Sequence, residues 1–265
     1  MTHFTASKTF LATAVALAAL VGLPAVAADK AAKPAAAAMG DTTVVLVHGA
    51  FADGSSWDKV IPLLQARGLK VVAVQNPLTS LADDVAAAQR AIDAASGKVV
   101  LVGHSWGGTV ITQAGAGDKV KALVYVAALA PSEGQSSGDV GKDYPPTSGI
   151  QKVKADAAGF LSMPEDAIAS DFAQDLPRAT LRVMAATQGP IQGKAFAEPV
   201  TVVAWKNKPS YYLVAAKDRM IQPQLERDLA KKLDATTVEV PTGHVPMQSQ
   251  PRKVADLIIQ AAQAK

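Results

Sequence analysis

Short apolar segments rich in β-branched residues alternate with longer helical patterns along most of the chain beyond Asp41. The apolar segments are residues 43–47, 70–74, 99–102, 120–126, 211–215 and 236–240. Each has the length of a strand that is buried on both faces, and such strands form parallel sheets that are covered by helices. The alternation therefore predicts an α/β fold with a doubly wound, mostly parallel sheet of six strands.

The segments between these strands carry the spacing of helices with one buried face. Ser80 begins a pattern typical of a helix N-terminus, and apolar residues at helical spacing follow it, namely Leu81, Val85, Ala88 and Ile92. Residues 223–233 and 252–262 are similar. With 265 residues, of which 49% are hydrophobic and 18% charged, the chain can bury one substantial core, so residues 41–265 are predicted to form a single domain.

The N-terminus has the pattern of an export signal. Lys8 precedes an apolar run of about 15 residues, which is shorter than the ~20 that a membrane-spanning helix requires. The small-residue pattern Ala25-Val26-Ala27 follows as a cleavage site. We therefore predict a signal peptide over residues 1–27, with a membrane anchor as the alternative, and a flexible leader rich in Ala, Lys and Pro over residues 28–40. The mature protein is expected to be periplasmic or secreted, without stable membrane insertion.

Charge and cysteine content restrict the possible partners. The chain has no cysteine, which excludes disulfides and a lipid-modified cysteine after the signal. Its net charge of +3 falls to about +2 when the signal is removed, and so small a charge argues against a nucleic-acid partner. No histidine pair has metal-ligand spacing and no nucleotide fingerprint is present, so we expect neither a metal nor another cofactor.

The alternation of strands and helices lapses over residues 131–200. Gly-, Ser- and Pro-rich turns there give way to short amphipathic patterns at residues 164–172 and 179–186. A structureless segment of this length is unusual in a compact domain, and a lid over a site would explain it. We predict an inserted helical cap, with a surface insertion as the alternative.

Two segments match the pattern Gly-x-Ser-x-Gly, one around Ser105 and one around Ser136. Only Ser105 follows an apolar strand and precedes a helical pattern, which places it on a sharp turn at the N-terminus of a helix. A serine in this position has the strained backbone and favourable helix dipole of a nucleophile. Ser136 lacks both neighbours, so we interpret it as a loop residue.

A serine nucleophile needs a base, and the chain has four histidines. His3 lies in the signal, His48 belongs to the first loop, and His104 adjoins Ser105 on a turn that should point it away. His244 follows the last predicted strand and is therefore the predicted base.

A carboxylate must orient that base. Asp218 lies just after the preceding strand, residues 211–215, and is the predicted third member of a triad. Glu133, farther into a Pro- and Gly-containing loop, is the alternative.

Two backbone N–H groups would have to stabilise the oxyanion in acyl transfer. We predict those of Ala50, in the loop after the first strand, and Trp106, directly after Ser105. Large apolar residues from the loops and the cap could line a substrate pocket or equally belong to the core. The candidates are Phe51, Phe160, Met163, Phe172, Met184, Phe196 and Trp205.

The His48-Gly49 loop, the Gly-His-Ser-Trp-Gly turn and the order Ser105, Asp218, His244 together resemble the α/β-hydrolase superfamily, over nearly the whole mature chain. The segment at residues 48–57 and the short cap resemble the branch of plant methylesterases and hydroxynitrile lyases, with small bacterial esterases. This resemblance implies hydrolysis of a small-molecule carboxylic ester through an acyl-serine intermediate.

Hydroxynitrile lyases of this branch carry a lysine directly after the catalytic histidine and a threonine in the His-Gly loop. This chain has Val245 and Ala50 at those positions, which favours an ester hydrolase over a lyase. Two other functions stay open. One is a cofactor-free perhydrolase or lactonase reaction on the same triad, and the other is a ligand receptor that kept the fold without catalysis.

Overall fold

The computed structural model describes residues 41–264. The predicted signal peptide and leader lie outside the described residues, so both stay predictions. Within residues 41–264, no helix combines the length and apolar character needed to cross a membrane.

A parallel sheet of six strands, in the order β2-β1-β3-β4-β8-β9, forms the centre of the domain. The strands of the described residues are β1 (Thr43–Val47), β2 (Lys70–Ala73), β3 (Val99–Ser105), β4 (Val120–Ala128), β5 (Lys154–Ala155), β6 (Phe160–Ser162), β7 (Ile191–Gln192), β8 (Ser210–Ala215) and β9 (Thr236–Val240). The predicted fold class and its six strands are confirmed, and the main differences are that β3 continues to Ser105 and β4 to Ala128.

The burial of the strands explains their composition. Every residue of β1 and β8 is buried, although successive side chains point to opposite faces of the sheet. Helices must therefore cover both faces, and continuous apolar runs satisfy that requirement. The edge strands β2 and β9 are mostly exposed or half-buried, as expected where one side lacks a neighbouring strand.

The helices of the described residues are α1 (Ile61–Gln65), α2 (Leu81–Ala94), α3 (Trp106–Ala114), α4 (Ser137–Val140), α5 (Ser148–Gln151), α6 (Glu165–Ala167), α7 (Arg178–Thr187), α8 (Pro223–Lys232), α9 (Pro246–Ser249) and α10 (Pro251–Gln263). Short 3₁₀ helices lie at Gly54–Trp57, Gly193–Ala197 and Ala204–Lys206, and a π-helical turn at Ile168–Phe172. As predicted, the Ser80 side chain caps α2 by accepting from the Asp83 amide. Helix α2 packs against α3, and α1 against α10.

The segment between β4 and β8 contains more than the helices predicted for it. Helices α4 to α7 and the π-helical turn occur there, together with a small antiparallel sheet in the order β5-β6-β7. The expectation of a purely helical insertion was therefore incomplete. Strands of two or three residues are too short to show a period of two, which is why the sequence pattern does not reveal them.

Candidate active site

Ser105 ends β3 and directly precedes α3, and its backbone has φ 52° and ψ −119°. Positive φ is uncommon for a residue other than glycine and is characteristic of strained functional turns. The neighbouring glycines allow this turn to pack tightly. A Cβ at Gly103 would lie 2.4 Å from the Gly107 oxygen, and one at Gly107 would lie 2.5 Å from the Val47 oxygen. Larger residues would force the strand and helix apart.

A chain of hydrogen bonds joins Ser105 to a buried carboxylate. The Ser105 hydroxyl donates to Nε2 of His244 at 2.8 Å, and Nδ1 of His244 donates to Oδ2 of Asp218 at 2.5 Å. Ser105 ends β3, Asp218 follows β8 and His244 follows β9. Parallel strands bring their carboxyl ends to one edge of the sheet. The arrangement has the geometry of a nucleophile, a base and a group that orients the base.

The loop after β8 holds the Asp218 carboxylate in place. Its Oδ1 accepts from the amides of Met220 at 2.6 Å and Ile221 at 3.0 Å. Asp218 and His244 are almost fully buried, so water cannot compete for these bonds. Oδ2 is therefore directed at the imidazole.

The competing residues of the sequence analysis lie elsewhere. Glu133 has an exposed side chain that pairs with Lys206 at 3.2 Å. Ser136 is buried, and its side chain forms a capping box with Asp139 at the start of α4. Ser136 therefore lies outside the helix, but the expectation that no helix follows it was wrong, because a helix of four residues is too short to show a periodic pattern.

The other two histidines of residues 41–264, His48 and His104, support the loops around Ser105. His104 is fully buried, burial holds its pKa well below the usual range, and its Nε2 donates to the main-chain oxygen of His244 at 2.8 Å. His48 accepts from the Asn76 amide at Nε2, which leaves Nδ1 to donate to the Gly49 oxygen at 2.8 Å. Both rings are therefore neutral and hold backbone carbonyls.

Two backbone amides are available beside Ser105. Trp106 is the first residue of α3, where the N–H group has no acceptor within the helix. No acceptor for the Ala50 amide occurs among residues 41–264. Ala50, Ser105 and Trp106 all line the same cavity. The two amides are therefore candidates for donors to an oxyanion on a carbon attacked by Ser105.

A cavity of about 590 Å³ opens at Ser105 and His244. Phe51, Phe172 and Phe196 line it, as do several apolar residues that no sequence pattern singles out. These are Leu129, Tyr144, Pro145, Pro146, Ile150, Val153, Leu161, Met220, Ile221 and Leu225. Met220 and Ile221 lie two and three residues after Asp218 and could have been found from that proximity. The cavity wall is mainly apolar, with Lys142 at its exposed part.

Four residues expected in the pocket do not line this cavity. Phe160 precedes the lining residue Leu161 on β6, and consecutive strand residues face opposite ways. Met163 is buried in the core. Met184 lines a separate cavity of about 90 Å³, and the Trp205 indole donates to the Pro131 oxygen at 3.1 Å, with the Lys232 ammonium 5.2 Å from the ring centre.

The comparison with known families agrees with the geometry. A model described as "Alpha/beta hydrolase family" matches residues 44–257. The chain belongs to the alpha/beta hydrolase family.

Proteins similar to this chain occur in fungi, bacteria and plants. "Probable hydrolase R7" of Phoma sp. is 29% identical over 247 residues, covering 83% of this chain and 97% of the relative. "Pyrethroid hydrolase" of Sphingobium wenxiniae is 25% identical over 264 residues, covering 84% and 88%. "Putative methylesterase 14, chloroplastic" of Arabidopsis thaliana is 24% identical over 267 residues, covering 83% and 71%. The resemblance to the plant methylesterase branch is thereby confirmed.

Among solved structures, an extracellular alpha/beta-hydrolase from a Paenibacillus species superposes with a TM-score of 0.72 at 22% identity, covering 84% of this chain and 100% of that one. Its structure is described as sharing structural and functional homology with tobacco Salicylic Acid Binding Protein 2. At this identity the likeness establishes the fold.

The hydrolase also carries a buried carboxylate behind Trp106. Asp84 on α2 is fully buried, and its Oδ2 accepts from Nε1 of Trp106 at 2.7 Å while Oδ1 accepts from the Leu78 amide at 2.7 Å. Burial raises the pKa of Asp84 to about 6, although both hydrogen bonds oppose the shift. The Phe196 ring packs on the Trp106 ring, with centres 5.2 Å apart. Trp106 is therefore fixed from both sides.

Proposed function

We propose that the chain is a carboxylic ester hydrolase that works through an acyl-serine intermediate on Ser105. The observation that carries this proposal is the continuous hydrogen-bonded series Ser105, His244, Asp218 at the wall of a mainly apolar cavity. Membership of the alpha/beta hydrolase family and relatives named hydrolase and methylesterase support it.

In the proposed reaction, the Ser105 hydroxyl attacks the ester carbonyl as His244 Nε2 takes its proton. Asp218 accepts from Nδ1 and stabilises the imidazolium that forms. The amides of Ala50 and Trp106 donate to the tetrahedral oxyanion. The intermediate collapses with proton transfer from His244 to the leaving alcohol, and a water activated by His244 then releases the acid from Ser105.

The size and polarity of the cavity favour an ester with a bulky apolar group. A volume of about 590 Å³ is far more than an acetyl group needs and lies within the range of pockets for drug-sized ligands. A relative named pyrethroid hydrolase agrees with such a preference. Val245 and Ala50 are both buried, and neither supplies a functional side chain that a lyase reaction would use.

The proposal is tested with p-nitrophenyl esters of acetate and octanoate. We expect Ser105→Ala to lower kcat by at least about 10³-fold on both esters, since the nucleophile is lost. Ser136→Ala is the matched control, because it removes the serine of the second Gly-x-Ser-x-Gly pattern and should retain turnover. Octanoate should give the higher kcat/KM. Equal turnover by Ser105→Ala and the unchanged protein would overturn the proposal.

We also propose that the mature hydrolase acts outside the cytoplasm after cleavage behind Ala27. The Lys8 to Ala27 pattern supports export, as does similarity to a hydrolase described as extracellular. N-terminal sequencing of protein from the periplasmic and medium fractions should give Ala28 as the first residue. Recovery of uncleaved protein from the membrane fraction would contradict this prediction.

A further inference from the structure

A second carboxyl group lies behind the triad. Glu226 on α8 is completely buried, and its Oε2 accepts from the Ala215 amide at 2.8 Å. Its Oε1 has no hydrogen-bond donor among residues 41–264. A buried carboxylate oxygen without a donor carries a large desolvation cost, whereas a protonated oxygen can satisfy itself by donating.

The acceptor for such a proton is Asp218. Both residues are tied to Ala215 in one buried site: the Ala215 amide donates to Glu226 at 2.8 Å, and the Asp218 amide donates to the Ala215 oxygen at 3.1 Å. The Asp218 carboxyl group is the hydrogen-bond partner of the Glu226 side chain there. Burial raises the pKa of Glu226 well above its usual range, and the negative charge of Asp218 raises it further. Two carboxyl groups in contact in a dry site cannot both ionise readily. One proton between them therefore has to remain at neutral pH.

The surrounding groups decide which carboxyl group keeps the proton. Asp218 accepts from Nδ1 of His244 and from two backbone amides, and donors favour the anionic form. Glu226 accepts from one amide. Its other titratable neighbours are Tyr212 on β8, which is buried and uncharged, and Arg227, whose guanidinium is engaged by Glu239 at the surface.

We propose that Glu226 is a neutral carboxylic acid that donates a hydrogen bond to Asp218 and so positions the carboxylate that orients His244. The series of hydrogen bonds then runs from Ser105 through His244 and Asp218 to α8. Glu226 is a positioning residue, since it reaches the reacting atoms only through Asp218. The kinetic part of this inference rests on the proposed ester hydrolysis, whereas the protonation state does not.

The test compares two substitutions of matched size. Glu226→Gln can accept from Ala215 and donate to Asp218, so it reproduces the neutral acid. Glu226→Met fills the space and removes both bonds. Glu239→Gln, an exposed position on the neighbouring strand, is the control for a Glu-to-Gln change. The pH profile of kcat/KM is measured for all four proteins, and its acid limb reports protonation of His244.

We expect Glu226→Gln to leave the acid limb in place and to keep most of the activity. Glu226→Met should lower kcat/KM about tenfold, the size of one lost buried hydrogen bond. It should also move the acid limb to higher pH, because Asp218 without its donor stabilises the imidazolium more strongly. If the acid limb of the pH profile lies at lower pH in Glu226→Gln than in the unchanged protein, Glu226 is ionised. If Glu226→Met loses tenfold in kcat/KM while its acid limb stays in place, Glu226 has a packing role only. Either result overturns the proposal.

Infrared difference spectroscopy provides a readout that needs neither turnover nor the Met variant. At neutral pH, the unchanged protein should show a protonated carboxylic acid C=O band that Glu226→Gln lacks and Glu239→Gln retains. If no ester is cleaved at all, the proposed function fails while this band still tests Glu226. Absence of the band from the unchanged protein would contradict the neutral acid.

Discussion

The ring of His104 supports the backbone of His244: Nε2 of His104 donates to the main-chain oxygen of His244 at 2.8 Å, and the ring centres lie 4.8 Å apart. Because His104 is fully buried and neutral, this bond should persist at all pH values at which the fold survives. The bond holds the main chain of His244, while Asp218 orients its imidazole ring through Nδ1.

Replacement of His104 by Phe should therefore weaken both the fold and the site. Phe has a similar shape but no donor, so the buried His244 carbonyl would lose its partner, at a cost of about 1–3 kcal/mol. We expect a lower urea midpoint and a reduced kcat. Unaltered unfolding and kinetics would show that the hydrogen bond has no role in holding His244.

Gly49 allows the first loop to approach Ser105. A Cβ at Gly49 would lie 2.8 Å from Cβ of Ser105 and 2.9 Å from Nδ1 of His104. Gly49→Ala should lower the free energy of unfolding by about 1–3 kcal/mol and reduce kcat by displacing the Ala50 amide. Gly117→Ala is the control, because nothing lies within 4 Å of its Cβ position. Equal urea curves and kcat values for the two variants would contradict the close approach.

Asp84 should make the emission of Trp106 depend on pH. Above pH 6 the carboxylate accepts from both Trp106 and Leu78, and below it a proton occupies one oxygen. We expect a fluorescence transition with a midpoint near pH 6 that Asp84→Asn lacks. Trp57 and Trp205 remain in that variant and provide its baseline. The same transition in both proteins would exclude Asp84 as its origin.

The raised pKa of Asp84 also makes the stability of the fold depend on pH. The pKa of Asp84 is about 6 in the native state against an ordinary 3.8, so the native state binds more protons between these values. The contribution of Asp84 to the free energy of unfolding therefore falls as pH rises from about 4 to about 6 and is constant above. Urea unfolding measured between about pH 4 and pH 6 should show this fall in the free energy of unfolding for the unchanged protein and not for Asp84→Asn.

The two neighbours on β6 offer a test of the cavity wall. Leu161 lines the cavity and Phe160 does not, although both are half-buried. Leu161→Trp should lower kcat/KM for the octanoate ester at least several-fold more than for the acetate, because it fills space that only the longer acyl group needs. Phe160→Trp should leave the ratio unchanged. A larger effect at Phe160 would place the substrate elsewhere.

The sequence was informative where chain order alone determines position. Residues at or just beyond the carboxyl ends of parallel strands lie at one edge of the sheet, so the order of the strands in the sequence is enough to group Ser105, His244 and Asp218. The glycines on both sides of Ser105, between a predicted strand and a predicted helix, likewise predicted the sharp turn that the structure has there.

Prediction from the sequence failed where the direction of a single side chain determines whether the residue belongs to the site. The size of Phe160 favours a place in the pocket, yet its neighbour Leu161 lines the cavity, and a strand of three residues gives no pattern from which to assign faces. Asp84 and Glu226 lie on helices whose apolar spacing is ordinary. Their roles depend on contacts with Trp106 and Asp218, which only the tertiary structure brings close.

Covalent labelling tests the central claim most directly. A fluorophosphonate should form one adduct on the folded protein, and peptide mass mapping should locate it on Ser105. Ser105→Ala should remain unlabelled, while Ser136→Ala should label like the unchanged protein. An adduct on Ser136, or no adduct on a protein that hydrolyses esters, would contradict Ser105 as the nucleophile.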